Sequence, residues 1–350
     1  MRAVVVRETG STDVLRFEEV ATPVPGPREV LIRVAACGVC TLDIVTRNGS
    51  YTQRVKFPLI PGHEIAGTVV ATGAAVRRFH TGDRVATTQR YHICGDCRFC
   101  RGGYEPLCAE RRFLGQQDLV GGYAEFVAVE EDNVALVPPQ VKDEQAAIAA
   151  CAIGTSLNAV RDVGRVRLGE HVLVSGAGGG LGVHALQLAR LAGARVIAQT
   201  TSPEKAELLA RLGAHDVLVT VRDEDFSERV RALTGGHGVD VLIDNVGTPL
   251  FAALRRSLGV NGRWVLVGQL GGGFVPFNPA QLFLRNQSML SVHSTTRAQL
   301  EDTLQLIARG DIEPVISDIR PLDDVAAVQA AMERGSVAGR IVVRPHKDGR

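Results

Sequence analysis

A chain of 350 residues, 45% apolar and 22% charged, exceeds what one hydrophobic core usually organises, so two globular domains are expected. A formal net charge of +1, with no block of like charges, gives no basis for a nucleic-acid or anionic-membrane partner and leaves small-molecule chemistry. No apolar stretch reaches membrane-spanning length and Met1 to Arg7 carries no targeting pattern, so a cytoplasmic location is expected, where seven cysteines speak for metal or redox use rather than disulfides.

To about Ala150 the chain is dense in short β-branched runs broken by Gly and Pro, such as Glu29-Val30-Leu31-Ile32-Arg33-Val34 and Gly67-Thr68-Val69-Val70. That pattern predicts a mostly β domain with its metal residues on loops. Within it Cys94, Cys97, Cys100 and Cys108 follow the spacing Cys-x2-Cys-x2-Cys-x7-Cys, which gathers four thiolates around one small ion. Tetrahedral zinc is the expected occupant. An iron-sulfur run of the ferredoxin kind closes with a shorter gap and a Cys-Pro, whereas Ala109 follows Cys108.

From about Ile153 apolar strands alternate with helical patterns, which predicts a parallel sheet with crossover helices. Strand Val172-Leu173-Val174 leads to a helix over 181–191, apolar at 181, 185, 188 and 189 and ended by Gly193. Strand Val196-Ile197-Ala198, a helix from Pro203 to Leu212 capped by Ser202, and strands 217–219, 239–243 and 264–267 follow. After about Thr296 a helix over 300–308 and a closing strand Ile341-Val342-Val343 form too little for a third domain, and are expected to pack on the first. The expected domains are therefore 1–152 with 296–350, and 153–295.

Between that first strand and helix lies Gly176-Ala177-Gly178-Gly179-Gly180-Leu181-Gly182. A glycine turn opening a helix presents backbone amides to a pyrophosphate, so Gly176, Gly179, Gly180, Leu181 and Gly182 are candidate coenzyme contacts in a dinucleotide-binding, doubly wound domain. The spacing is a longer variant of the usual fingerprint, and its weight comes from the strand and helix around it. At the end of the second strand an NAD-binding chain would place an acid on the ribose, but the sequence reads Gln199-Thr200-Thr201-Ser202 with Lys205 nearby. Hydroxyls on Thr200, Thr201 and Ser202 and the Lys205 ammonium suit a 2′-phosphate, so NADP(H) is favoured over NAD(H).

Cys40, the run Pro61-Gly62-His63-Glu64, and Cys151 stand apart from the four-cysteine cluster and each offers a zinc ligand. Singly, a lone Cys or His is more often a packed core residue than a ligand; the combination carries the case. Together with Cys37-Gly38-Val39-Cys40, Asp43, the four-cysteine lobe, Thr155, the glycine turn and Gly339-Arg340, they make the chain resemble the zinc-dependent medium-chain alcohol dehydrogenases over nearly its whole length. The resemblance implies a GroES-like, mostly β catalytic domain, a Rossmann coenzyme domain and two zinc ions per chain. The set of two cysteines and one histidine is the one known for alcohol dehydrogenases and comes from that resemblance: Cys40, His63 and Cys151 on a catalytic zinc, with Glu64 able to approach it. Asp43 would accept the second ring hydrogen of His63. Thr155, Val246, Val267, Gly268 and Arg340 are implied as further coenzyme contacts.

Cys37 is then left over as a small core residue, and His92, beside the four-cysteine lobe, reads as a loop histidine. Many family members carry Ser or Thr two residues after the first zinc cysteine, and some a His three residues later, as a proton path. Here those positions are Leu42 and Val45, which carry no proton. The primary expectation is an oxidoreductase moving a hydride between NAD(P)(H) and an alcohol or carbonyl compound. The alternative, which that departure strengthens, is an enoyl reductase of the acryloyl-CoA kind, with Arg47, Arg54 and Lys56 as candidates for a CoA phosphate. A non-catalytic zinc protein is a third. A homodimer or homotetramer, joined through an edge strand around Ser288 to Val292, is implied by the same resemblance.

Overall fold

The computed structural model describes residues 1–53, 55–270 and 272–346. The chain divides into two compact units, Met1–Gly154 with Ser294–Arg350, and Thr155–His293.

The first unit is built on a seven-stranded sheet in the order Ile316–Pro321, Arg340–Arg344, Glu29–Val39, Glu64–Thr72, Arg84–Thr87 and Val134–Leu136, with Phe126–Glu130 also paired to Glu29–Val39. Glu29–Val39 is central because it can be: its 11 residues are almost continuously apolar and nearly all buried. Ile32, Val34, Ile65, Val69, Val85, Tyr123 and Val127 share one core with Val325 and Val328 from the helix Val325–Glu333. Strand register gathers three distant segments. Ile341 pairs with Val39 and Gly38 with Glu64, so the start of Arg340–Arg344, the end of Glu29–Val39 and the start of Glu64–Thr72 meet at one end of the sheet.

The second unit holds a six-stranded sheet in the order Asp216–Val219, Arg195–Thr200, His171–Ser175, Val239–Asp244, Leu258–Leu266 and Ser288–Ser291, every pair parallel. The chain order reverses between His171–Ser175 and Val239–Asp244, which is where open parallel sheets place their ligands. The mixed α/β class with a parallel coenzyme-type sheet is as read from the sequence. Its details differ in two places. The helix expected from Pro203 is a 3-10 turn over Pro203–Lys205 followed by Ala206–Arg211, and Ser202 makes no side-chain cap. Instead Thr200 Oγ1 accepts the Ser202 amide at 3.1 Å, a local turn that competes with capping.

In the first unit the helix expected over 300–308 runs Arg297–Arg309. Its start is set by a capping box, with Thr296 Oγ1 accepting the Gln299 amide and Gln299 Oε1 accepting that of Thr296, and Gly310 closes it at φ +76°. Among the described residues no helix is long and apolar enough to cross a membrane.

Two candidate metal centres and a glycine-rich turn

Cys94, Cys97, Cys100 and Cys108 converge, their sulfurs all within 4.8 Å of one another. The Cys108–Cys94 and Cys94–Cys100 separations of 3.5 and 3.9 Å bracket the roughly 3.8 Å edge of a tetrahedron with metal–sulfur bonds of about 2.3 Å. Backbone amides of Cys97, Cys100 and Cys94 point at the sulfurs of Cys94, Cys97 and Cys108, at 3.4, 3.5 and 3.5 Å. The Cys100 amide lowers the Cys97 thiol to about 7, a thiolate ready for a metal. Arg111 Nη1 donates to the Cys108 carbonyl at 2.7 Å, and Arg90, wholly buried and pushed down to about 10 by that burial, donates to Ser294 Oγ and the Thr295 carbonyl.

The second centre assembles from the ends of two sheet strands and one helical turn. Cys40 caps the helix Thr41–Arg47 directly after the central strand, His63 and Glu64 stand at the start of the next strand, and Cys151 lies on a π-helical turn over Ala149–Gly154. Such π turns recur at functional sites. One ligand atom from each of Cys40, His63, Glu64 and Cys151 falls within a 4.8 Å cluster. His63 Nδ1 donates to Asp43 Oδ1 at 3.0 Å, which leaves Nε2 as the ligating nitrogen. Nε2 is buried and has no hydrogen-bond partner, a cost that a metal ion would remove. The donor chemistry and this orphaned nitrogen fit zinc.

Charge at this centre is finely opposed. The Cys151 thiol donates toward Cys40, and with Arg340 and His63 nearby holds Cys40 well below the ordinary thiol range while Cys151 is driven up. Burial works to lower the His63 imidazole, but Asp43 and Cys40 outweigh it and hold it well above its usual value. Burial pushes the Glu64 carboxyl up to about 7 against the pull of Arg340. Gly38 makes room for that carboxylate: a Cβ there would stand 2.2 Å from Glu64 Oε2.

Arg340, expected among the coenzyme contacts, has its guanidinium here: Nη2 is 2.9 Å from Glu64 Oε1, 3.4 Å from Cys40 Sγ and 3.8 Å from Cys151 Sγ. Cys37 is buried, its sulfur packed where Cβ atoms at Gly62 or Gly122 would clash. His92 is no loop residue: it lies on the strand Arg90–His92 and Nδ1 pairs with Glu130 at 2.8 Å. Arg47, a candidate for a CoA phosphate, is 1% exposed and held by Glu333 at 2.5 Å, so it is spoken for; Lys56 is exposed, and Arg54 lies outside the described residues.

In the second unit the glycine turn joins strand His171–Ser175 to the helix Gly182–Leu191. Gly176 takes φ +57°, and a Cβ on Gly182 would meet the Gly176 carbonyl at 2.4 Å, so the turn closes only with glycine at both places. Gln199 braces the turn: its Oε1 accepts the Gly176 amide at 3.0 Å and its Nε2 donates to Thr220 Oγ1 at 2.8 Å, tying the turn to the neighbouring strand. Lys205 lies along the turn, its Cδ 2.6 Å from where a Gly178 Cβ would be, and its partial burial lowers its pKa. Thr200 is buried, Thr201 exposed and Ser202 half-buried.

Val246, Val267 and Gly268 follow the carboxyl ends of two adjacent strands, and Thr155 opens a short helical segment whose Ser156 Oγ donates to the Leu181 carbonyl. The sequence reading missed Asp244. This buried carboxylate accepts from Ser175 Oγ, the amides of Val246 and Gly247, and Trp264 Nε1, and so shapes the strand end. An acid closing a strand beside Asn-Val-Gly was the available signal.

By sequence, an alcohol dehydrogenase GroES-like domain matches residues 26–139 and a zinc-binding dehydrogenase domain matches residues 180–309. A Sulfurisphaera tokodaii protein named acryloyl-coenzyme A reductase is 34% identical, covering 99% of this chain and 100% of its own. A Geobacillus stearothermophilus alcohol dehydrogenase is 33% identical over 98% of this chain and 99% of its own. The crystal structure of an NAD-dependent alcohol dehydrogenase, 33% identical, superposes with a TM-score of 0.92 over 99% of this chain and 100% of that one.

Proposed function

The chain belongs to the zinc-binding alcohol dehydrogenase family and is an enzyme of the oxidoreductase class, and on that premise we propose that it moves a hydride between NADP(H) and an alcohol–carbonyl pair. The observation that carries this reading is the Cys40, His63 and Cys151 cluster with its orphaned Nε2. We assign these three to a catalytic zinc and the four-cysteine lobe to a structural one, two per chain. When bound, the catalytic zinc supplies Lewis-acid polarisation of a substrate oxygen and the nicotinamide supplies or takes the hydride.

This chain's residues prepare for that chemistry. Asp43 holds the His63 tautomer, and Arg340 holds the Glu64 carboxylate, which leaves a fourth ligand position for substrate. The four-cysteine centre has no such position, so it takes no part in the reaction. Leu42 and Val45 offer no proton path along their helix, so the proton released on oxidation, or taken up on reduction, has to travel by another route. Membership in a family of enzymes sets aside the reading as a non-catalytic zinc protein.

For the coenzyme, the absence of an acid at Thr200-Thr201-Ser202 and the lysine lying along the turn support NADP(H), although similar proteins include an NAD-dependent one. Lys205→Ala is expected to lower kcat/KM for NADPH about tenfold while changing that for NADH little, the worth of one charge-assisted hydrogen bond. Equal losses with both coenzymes in steady-state assays would remove Lys205 from phosphate recognition.

A second reading, reduction of an enoyl thioester, is favoured by the acryloyl-coenzyme A reductase relative and by the missing hydroxyl at Leu42. Oxidation of NADPH with benzaldehyde and butanal, set beside acryloyl-CoA and crotonyl-CoA, decides between them. The proposal expects turnover of the aldehydes; turnover of the thioesters alone replaces it with the second reading. We further propose a homodimer or homotetramer, since among the described residues Ser288–Ser291 is a sheet edge with one strand neighbour, and a cytoplasmic location, which suits cysteines arranged as metal ligands.

A further inference from the structure

We infer that Tyr123 is a positioning residue for the Cys40, His63 and Cys151 centre, acting through Asp43; the inference rests on the zinc assignment made above. Tyr123 belongs to none of the metal-ligating segments and lies 60 residues from His63 in the chain. Its backbone nonetheless runs along them: the Tyr123 amide donates to the Pro61 carbonyl and the Gly122 amide to that of Gly62, both at 2.9 Å. On its other side the Tyr123 carbonyl accepts from Val4 at 2.8 Å, so the residue is clamped from both directions. The ring is wholly buried and lies flush on Gly62, where a Cβ would come within 2.6 Å of it.

The hydroxyl is what a filling role does not explain. A phenylalanine would occupy the same space without bringing a polar atom into the core. Tyr123 Oη instead donates to Asp43 Oδ2 at 3.2 Å. The Cys40 amide donates to the same oxygen at 2.9 Å, while the other oxygen takes His63 Nδ1 at 3.0 Å and the Gly62 amide at 3.2 Å. Four donors fill what a carboxylate offers.

Three of those donors come from zinc-ligand residues or a direct neighbour, and move with them. Tyr123 is the fourth, and it anchors Oδ2 to a separate part of the core. Both carboxylate oxygens are thereby pinned, which keeps Oδ1 aimed at Nδ1 and Nε2 aimed at Cys40 and Cys151. The hydrogen-bond partners of a metal's ligands orient them in this way, and losing one weakens metal binding about 10- to 100-fold; Tyr123 acts one step further out, through such a partner.

The test is Tyr123→Phe, read by zinc release from the whole holoenzyme to the chelator 4-(2-pyridylazo)resorcinol and by the ligand-field spectrum after cobalt(II) replacement. Release from one of the two centres is expected to quicken about tenfold, at the low end of that range, with a shift of the cobalt bands. Release from the four-cysteine centre stays at the parent rate and reports that the variant is folded. In an Asp43→Asn background the same substitution should change release by no more than about twofold, because the hydroxyl acts through the carboxylate. A Tyr123→Phe protein with parent release rate and parent cobalt spectrum overturns the inference while leaving the zinc assignment standing. A parent carrying a single zinc overturns the assignment itself, and the inference with it.

Discussion

Replacing Cys151 with Ala is expected to take the zinc content from two ions per chain to one and to cut turnover by roughly a thousandfold or more. Metal polarisation of a reacting oxygen is worth several kcal/mol, and each 1.4 kcal/mol or so is a factor of ten in rate. The structure makes this centre intolerant of the loss for a second reason. Arg340 stands 3.8 Å from Cys151 Sγ and 3.4 Å from Cys40 Sγ, so with one thiolate gone the guanidinium competes with the metal for the remaining one. Metal analysis of protein purified without added zinc, together with steady-state rates, checks both numbers. A variant that keeps two zincs and about a tenth or more of its turnover would remove Cys151 from the ligand set.

Cys97→Ser is expected to act on stability and spare the chemistry. From Cys94 to Arg111 only Pro106 and Cys108 are buried, so this lobe has no apolar core and depends on its metal for shape. Loss of that ion should cost about 3 kcal/mol, lowering the melting temperature by roughly 6–12 °C, and should open the short helix Arg98–Arg101 to trypsin. The other zinc should remain, since Cys40, His63 and Cys151 draw on separate strands and a separate turn. Unchanged melting and unchanged protease resistance would mean that the lobe holds itself together without a metal.

These two centres differ in how far they could be read beforehand. The four-cysteine lobe spans 15 residues, and two of its three amide-to-sulfur contacts join residues three apart while the third, Cys94 to Cys108, stays within the lobe, so short-range spacing largely sets the geometry. The parallel sheet was legible in the same way, from apolar runs alternating with helical spacing. Gly176 and Gly182 were legible because a positive φ at the first and the close approach of backbone at the second exclude a larger residue. Asp244, Gln199 and Tyr123 were not. Each is one ordinary polar residue whose role comes from partners brought near by folding: Ser175 for Asp244, Gly176 for Gln199, Asp43 for Tyr123. Arg340 was named from the resemblance, but its guanidinium meets Cys40, which is 300 positions away in the chain.

The sequence by itself determined the family, the class of fold and the tetrathiolate lobe, because short-range spacing and side-chain periodicity are local properties that survive without a structure. Only the tertiary structure decided which groups oppose one another at the second centre. Strand register puts Arg340 and Glu64 on either side of Cys40, a π turn swings in Cys151, and Tyr123 reaches Asp43 across 80 residues. No stretch of sequence carries those distances, since they depend on the buried hydrogen bonds and packing that form only when the strands pair.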